Sequence, residues 1–198
     1  MNTADGVRIL RAADRRSAVW KNGGGVTREV AARPEGAGAE DFAWRVSLAE
    51  VAADGPFSVF PGIDRTLTLA EGAGMDLVVG GARRLVDERF TPQHFPGDEP
   101  TDCRLLDGPV VNFNVMYRRG AVRAGTAVVR GRVALAARPG ETLLVVALDG
   151  SAVLERPAGA DAPEELAPYD AALAVGPLRR LLRTTGRTAV VRFGPPHP

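Results

Sequence analysis

TLTLAEGAGMDLVV, residues 66–79, sets two short aliphatic runs on either side of a Glu-Gly-Ala-Gly turn. Runs of this length between glycines read as β-strands, and the turn between them reads as a hairpin. The arrangement returns about half a chain later, where TLLVVALDGSAVL (142–154) places Asp149-Gly150 between two apolar runs. That recurrence hints at a duplicated β-unit. Working outward, strands are expected at Val26–Ala31, Trp44–Val51, Thr66–Ala70, Met75–Val79, Cys103–Leu106 and Val111–Tyr117. In the second half they are expected at Ala127–Arg130, Val133–Ala137, Thr142–Leu148, Ala152–Leu154, Ala171–Val175 and Ala189–Phe193. With 23 glycines and 15 prolines in 198 residues, the chain is broken too often for long helices. Short helical turns are expected only near Ala12–Arg16 and Leu178–Leu182. Residues 156–168, rich in Pro, Ala, Gly and acids, read as a surface loop, and 194–198 as a loose tail. Many short strands at even spacing make the fold all-β, a sandwich or barrel.

Composition narrows the function. Lys and Arg number 25 against 24 Asp and Glu, so no charge surplus collects nucleic acid or acidic membrane surfaces. Cys103 is the single cysteine, which excludes an internal disulfide and fits a reducing cytoplasm. MNTADGVRIL holds no apolar run of signal-peptide length, and Leu143–Leu148 is far too short to span a bilayer, so neither export nor a membrane partner is expected.

Three segments concentrate polar groups in unusual places. In Trp20-Lys21-Asn22-Gly23-Gly24-Gly25, consecutive glycine amides beside an ammonium could cradle an anion; the alternative is a tight turn with Trp20 as a core anchor. The lysine precedes the glycines, so this is no P-loop. In Trp44-Arg45-Val46-Ser47-Leu48 the strand period sends Arg45 and Ser47 to one face and the apolar residues to the other. An inward Arg45 would need an anionic partner. Arg65 raises the same question, unless it simply pairs with its neighbour Asp64 at a turn. Two inward arginines would suit a dicarboxylate clamp, because the planar guanidinium takes a carboxylate bidentately. Asn112 and Asn114 share a strand face opposite Phe113, Val115 and Tyr117, and asparagine is depleted in strands unless its amide is used. Phe95-Pro96-Gly97-Asp98 reads as a turn, able to close over a pocket mouth.

Catalytic machinery is sparse. His94 and His197 are the only histidines, which excludes a three-histidine metal site, and no GxSxG elbow accompanies His94. Cys103, in an expected strand, reads as a buried inert thiol.

WKNGGGVTREV (20–30), FAWRVSLAEVAADGPFSVFPGIDRTLTLAEGAGMDL (42–77), FPGD (95–98) and CRLLDGPVVNFNVMYRR (103–119) together resemble the HutD/Ves family. The likeness covers about residues 8–119; beyond it, ETLLVVALDGSAVL and PYDAALAV agree mainly in layout. It implies a bicupin, two RmlC-like β-sandwich barrels packed together, with an N-terminal lobe at 1–120 and a C-terminal lobe at 121–198. It also implies that no metal or other cofactor is held, since Ile63-Asp64-Arg65 stands where a metal cupin's first motif places histidines. The family is associated with histidine utilisation, as a modulator binding an intermediate such as formiminoglutamate, formylglutamate or urocanate. Its shared polar positions match Trp20, Lys21, Asn22, Thr27, Arg45, Ser47, Arg65, Asp107, Asn112 and Asn114, and Gly23 and Gly24 join them as candidate ligand contacts.

The reading that follows is a cytoplasmic protein binding a small carboxylate metabolite, with a homodimer allowed. An alternative is a metal-free isomerase or hydrolase with Asp107 or Asp64 as base and Lys21 as acid. A third is a regulator acting through protein contacts alone.

Overall fold

The computed structural model describes residues 6–20, 23–38, 41–156 and 163–196. The chain divides into two compact units, Arg15–Val122 and Met1–Asp14 together with Arg123–Pro198. Set beside the expected lobes of 1–120 and 121–198, the first strand, β1 (Val7–Leu10), goes with the later residues. It runs antiparallel to Ala171–Ala174, and Val7 is buried among the aliphatic side chains of that unit. A single 3₁₀ turn, Ala12–Asp14, follows where a helical turn is expected. Among the described residues no helix is long and apolar enough to cross a membrane.

The unit of residues 15–122 holds β2 (Ser17–Val19), β3 (Gly25–Arg33), β4 (Trp44–Val51), β5 (Gly55–Phe57) and β6 (Ile63–Glu71). It continues with β7 (Met75–Val79), β8 (Ala82–Val86), β9 (Gln93–Pro96), β10 (Thr101–Leu105) and β11 (Val110–Arg118). They form a six-stranded sheet in the order β2-β3-β4-β11-β6-β9 and a four-stranded one in the order β5-β10-β7-β8. Alternation builds the core, since each strand turns one set of side chains inward. Val51, Leu67 and Leu69 from one sheet meet Met75, Leu77 and Cys103 from the other. Burial, with a smaller push from Asp54, raises the Cys103 thiol to about 11, so it stays protonated and inert.

The other unit adds β12 (Arg123–Ala137), β13 (Thr142–Asp149), β14 (Ala152–Glu155), β15 (Glu164–Leu166), β16 (Ala171–Val175) and β17 (Leu178–Gly194). Their order is β1-β16-β13-β17-β14-β15, with β12 also on β17. Its interior is filled by aliphatic side chains, and a void lined by Val7, Leu143, Val145 and Leu154 measures only about 10 Å³.

Several local expectations are corrected. Neither glycine turn closes a hairpin. β6 pairs with β9 and β11 while β7 pairs with β8 and β10, so Glu71–Gly74 carries the chain from one sheet to the other. Gly72 is needed for that corner, because its φ is +96° and an added Cβ would lie 2.6 Å from the Pro109 carbonyl oxygen. Around Asp149-Gly150, β13 pairs with β16 and β17, and β14 with β15 and β17. Leu178–Leu182 is strand, not helix: Leu178 and Leu182 turn into the core, and pairing with β12 overrides the helical propensity of Leu-Arg-Arg-Leu-Leu. Within the expected loop 156–168, Glu164–Leu166 pairs with β14, while 157–162 lie outside the described residues, as do 197–198 of the tail. Of the expected turn Phe95–Asp98, Phe95-Pro96 is the end of β9 and Gly97-Asp98 forms the turn.

Candidate functional site

Antiparallel register lines up three central strands of the six-stranded sheet, β4, β11 and β6, into rows. Val51 faces Val110 at the core end. Next come Ala49, Asn112 and Leu69, then Ser47, Asn114 and Leu67, and finally Arg45, Met116 and Arg65. The inner face therefore runs from aliphatic to amide to cationic along the strands. A cavity of about 900 Å³ opens over the polar end, lined by Arg45, Ser47, Arg65, Asn112 and Asn114 together with Trp20 and Thr27. That volume is at the upper end of what small-molecule sites use.

Arg65 is the most demanding group in this wall. It is 7 % exposed, and its Nε has no hydrogen-bond partner. Among the described residues no carboxylate forms an ion pair with it. Its neighbour Asp64 points to the other face, where it accepts from Arg119 at 2.7 Å while the same guanidinium bridges to Asp98 at 3.0 Å. The expected Asp64–Arg65 turn pair is thus replaced by a brace through Arg119. Aromatic faces surround Arg65 instead: Phe57 and Phe95 lie 5.2 Å from its Cζ and Phe60 lies 6.0 Å away. Cation–π attraction offsets part of the lost hydration. Burial still pushes the Arg65 pKa down to about 10, which leaves the group charged at neutral pH.

Arg45 is held differently. Its Nε lies 3.0 Å from Glu29 Oε2, an ion pair in which the N–H is not aimed at the oxygen and makes no hydrogen bond. The amides are also incompletely used. Asn112 is 1 % exposed, with Nδ2 donating weakly to Met75 Sδ at 3.7 Å and Oδ1 without a partner. Asn114 Oδ1 likewise has none. Buried polar atoms without partners are rare in folded proteins and mark places where something else completes the bonding.

Trp20 closes one side. Its indole N–H donates to Thr27 Oγ1 at 2.8 Å, and its ring meets Phe57 edge-on at 6.1 Å. Thr27 acts by orienting Trp20 as well as by lining the cavity. The glycines act structurally. Gly23 N–H donates to the Trp20 carbonyl, and Trp20 N–H donates to that of Gly25. At Gly25 an added Cβ would lie 2.5 Å from the Glu50 carbonyl oxygen and 3.1 Å from the indole. Gly23 and Gly24 are thus part of the turn that seats Trp20 and do not line the cavity, and the Gly23 amide is engaged in that turn. Lys21 and Asn22 lie outside the described residues.

Asp107 sits exposed in the turn between β10 and β11, away from the cavity wall. Neither it nor Asp64 is placed to take a proton from a ligand beside Arg65. A resident metal does not fit either, because the wall offers guanidinium, hydroxyl and amide groups. Among the described residues no cluster of three His, Cys, Asp or Glu could hold an ion. His94 faces away from this wall, 2.8 Å from Thr66 Oγ1 on the opposite side of β6. Sequence reasoning missed Glu29, Phe57, Phe60 and Phe95. Phe95 stands directly opposite Arg65 in the β6–β9 ladder, a pairing that a Pro-Gly-flanked string conceals.

Two β-sandwich units, the first with a cationic and amide-lined cavity where a histidine motif is absent, define a bicupin without the metal-cupin ligand set. The chain belongs to the HutD family, whose profile matches residues 12–191. It is 38% identical over 118 residues to an uncharacterized 21.2 kDa protein in the hutC 3′ region of Pseudomonas putida, covering 60% of this chain and 62% of that one. Protein Ves of Cronobacter sakazakii is 41% identical over 107 residues, 54% of this chain and 58% of that protein. These alignments span about three fifths of the curated relatives' lengths. The solved HutD of Pseudomonas fluorescens SBW25 superposes with a TM-score of 0.83 at 31% identity, covering 96% of this chain and 100% of that one. A variant of the oxalate decarboxylase of B. subtilis, at 9% identity and a TM-score of 0.63 over 95% of this chain and 77% of that one, shares the fold alone.

Proposed function

We propose that this protein is a cytoplasmic small-molecule-binding protein of histidine utilisation, taking a carboxylate-bearing intermediate into the cavity of residues 15–122 and modulating the pathway by its occupancy. The observation that carries the reading is Arg65, a buried guanidinium that faces a cavity and forms no ion pair with an acid among the described residues. A cation so placed gains most from an anion that brings its own charge, and a carboxylate matches its fork. Asn112, Asn114 and Ser47 stand in the adjoining rows, suited to reading an amide, formyl or formimino group. The relative in the hutC 3′ region supports the pathway. Formiminoglutamate, formylglutamate and urocanate are the candidate ligands.

Calorimetry and thermal shift of the purified chain against these three compounds, glutamate and histidine test the proposal. At least one should bind, and Arg65→Met should weaken it by about 2 kcal/mol or more, roughly thirtyfold. Arg45→Ala should weaken it less, since Arg45 already has Glu29. If no compound shifts the melting temperature, or if Arg65→Met leaves the shift intact, the proposal fails.

A further inference from the structure

We propose that Glu29 is a resident carboxylate that occupies Arg45 and sets which anions the cavity accepts, an inference that rests on the ligand-binding reading above. Arg45 and Arg65 stand in one row with Met116 between them, two strand spacings apart. That is about 9.5 Å between their Cα atoms, a span two guanidinium groups can close onto the ends of one short dicarboxylate. The two cations are not equivalent. Arg65 touches aromatic rings, whereas Arg45 lies 3.0 Å from Glu29 Oε2.

A bulge in β3 creates this difference. Thr27 pairs with Ala49 and Glu29 with Ser47, but the register then shifts, and Ala31 pairs with Val46 and Ala32 with Arg45. Val30 is the extra residue. The shift puts a small alanine directly across from Arg45 and leaves Glu29 as its diagonal neighbour, on the same face and within reach. The pair is poorly aimed, since the buried Arg45 N–H makes no hydrogen bond to the carboxylate. The Glu29 side chain is also 36% exposed, so it can leave towards water.

Selectivity follows from charge. With Arg45 paired to Glu29, Arg65 is the buried cation of the lining that no acid among the described residues compensates, and it suits a single carboxylate. A second carboxylate on the same molecule reaches Arg45 only by displacing Glu29, which then remains close by as a like charge. Glu29 therefore ranks the candidate ligands: formiminoglutamate and formylglutamate, with two carboxylates, seat the second one only by displacing it, whereas urocanate and other monocarboxylates leave it in place.

Glutarate and butyrate, titrated calorimetrically into the full chain, separate these cases. Glu29→Gln should bind glutarate about threefold tighter than the wild type, the scale of a part-exposed ion pair, and butyrate equally. Adding Arg45→Gln should remove the gain, as expected of two groups acting on one another. Glu29→Ala repeats the measurement if the glutamine variant folds poorly. An equal change for both anions, or none for glutarate, overturns the role of Glu29 while leaving the cavity reading standing. If neither anion binds the wild type and Arg65→Met changes nothing, the cavity reading fails and this inference with it.

Discussion

Arg65 and Asn112 are costly to fold, because Arg65 Nε and Asn112 Oδ1 are buried and no described residue hydrogen-bonds to them. Stability and binding should therefore separate at these positions. Asn112→Leu, close in volume and set among Leu69, Met75 and Ala49, is expected to raise the urea midpoint of the ligand-free chain by the equivalent of roughly 1 kcal/mol. The same substitution should lower ligand affinity, and a loss of stability instead would mean that the amide is bonded within the protein. At this scale much was readable from sequence. Strand parity alone put Arg45 with Ser47 and Asn112 with Asn114, and the structure has both pairs on the cavity face. The aromatic surround of Arg65 was not readable, since Phe57, Phe60 and Phe95 come from separate segments and none announces a partner. Glu29 escaped notice because a bulge, which composition does not mark, decides what it faces.

Among the elements, the start of β3 depends on Gly25. Its Cβ position is filled by the Glu50 carbonyl of β4 on one side and the Trp20 ring on the other. Gly25→Ala must push a backbone oxygen, so a loss of about 1–3 kcal/mol is expected by chemical denaturation, together with altered Trp20 fluorescence. The junction of β1 with β16 makes a pH-dependent prediction. Burial pushes the Asp170 carboxyl up, but the Ala12 N–H, Arg11 and the Ala167 N–H all donate to it, and the net effect lowers its pKa. A lowered folded-state pKa contributes stability above the usual aspartate value of about 3.9, and that contribution is lost as pH falls through the folded value. Asp170→Asn should thus cost stability at pH 7 and much less at pH 3, measured as urea midpoints at both. Elements were legible where side chains alternate, as in β4 and β11. The two glycine turns misled because a turn sequence reports that the chain bends, not which strand the next segment joins. Leu178–Leu182 misled because its partner in β12 lies more than 40 residues back along the chain.

For the whole molecule, every residue lining the cavity falls between 15 and 122, so the site is complete within one unit. A fragment of residues 15–122 is expected to keep its β-sheet circular dichroism and to bind the same ligand within about tenfold, about 1.4 kcal/mol. Folding without binding would show that the cavity needs the remaining residues. The bicupin class was legible from the density of short strands and the family strings, whereas the assignment of β1 was not. VRIL carries no sign that its partner is some 160 residues away. That pairing also has a consequence for synthesis on the ribosome. β1 emerges well ahead of its partner and must wait until Ala171–Ala174 has been translated, while the whole unit between them can fold in the meantime. The unit that holds the cavity is thus finished before the other can begin to close, and a stalled product ending before Ala171 would carry a complete cavity and an unpaired, aggregation-prone β1.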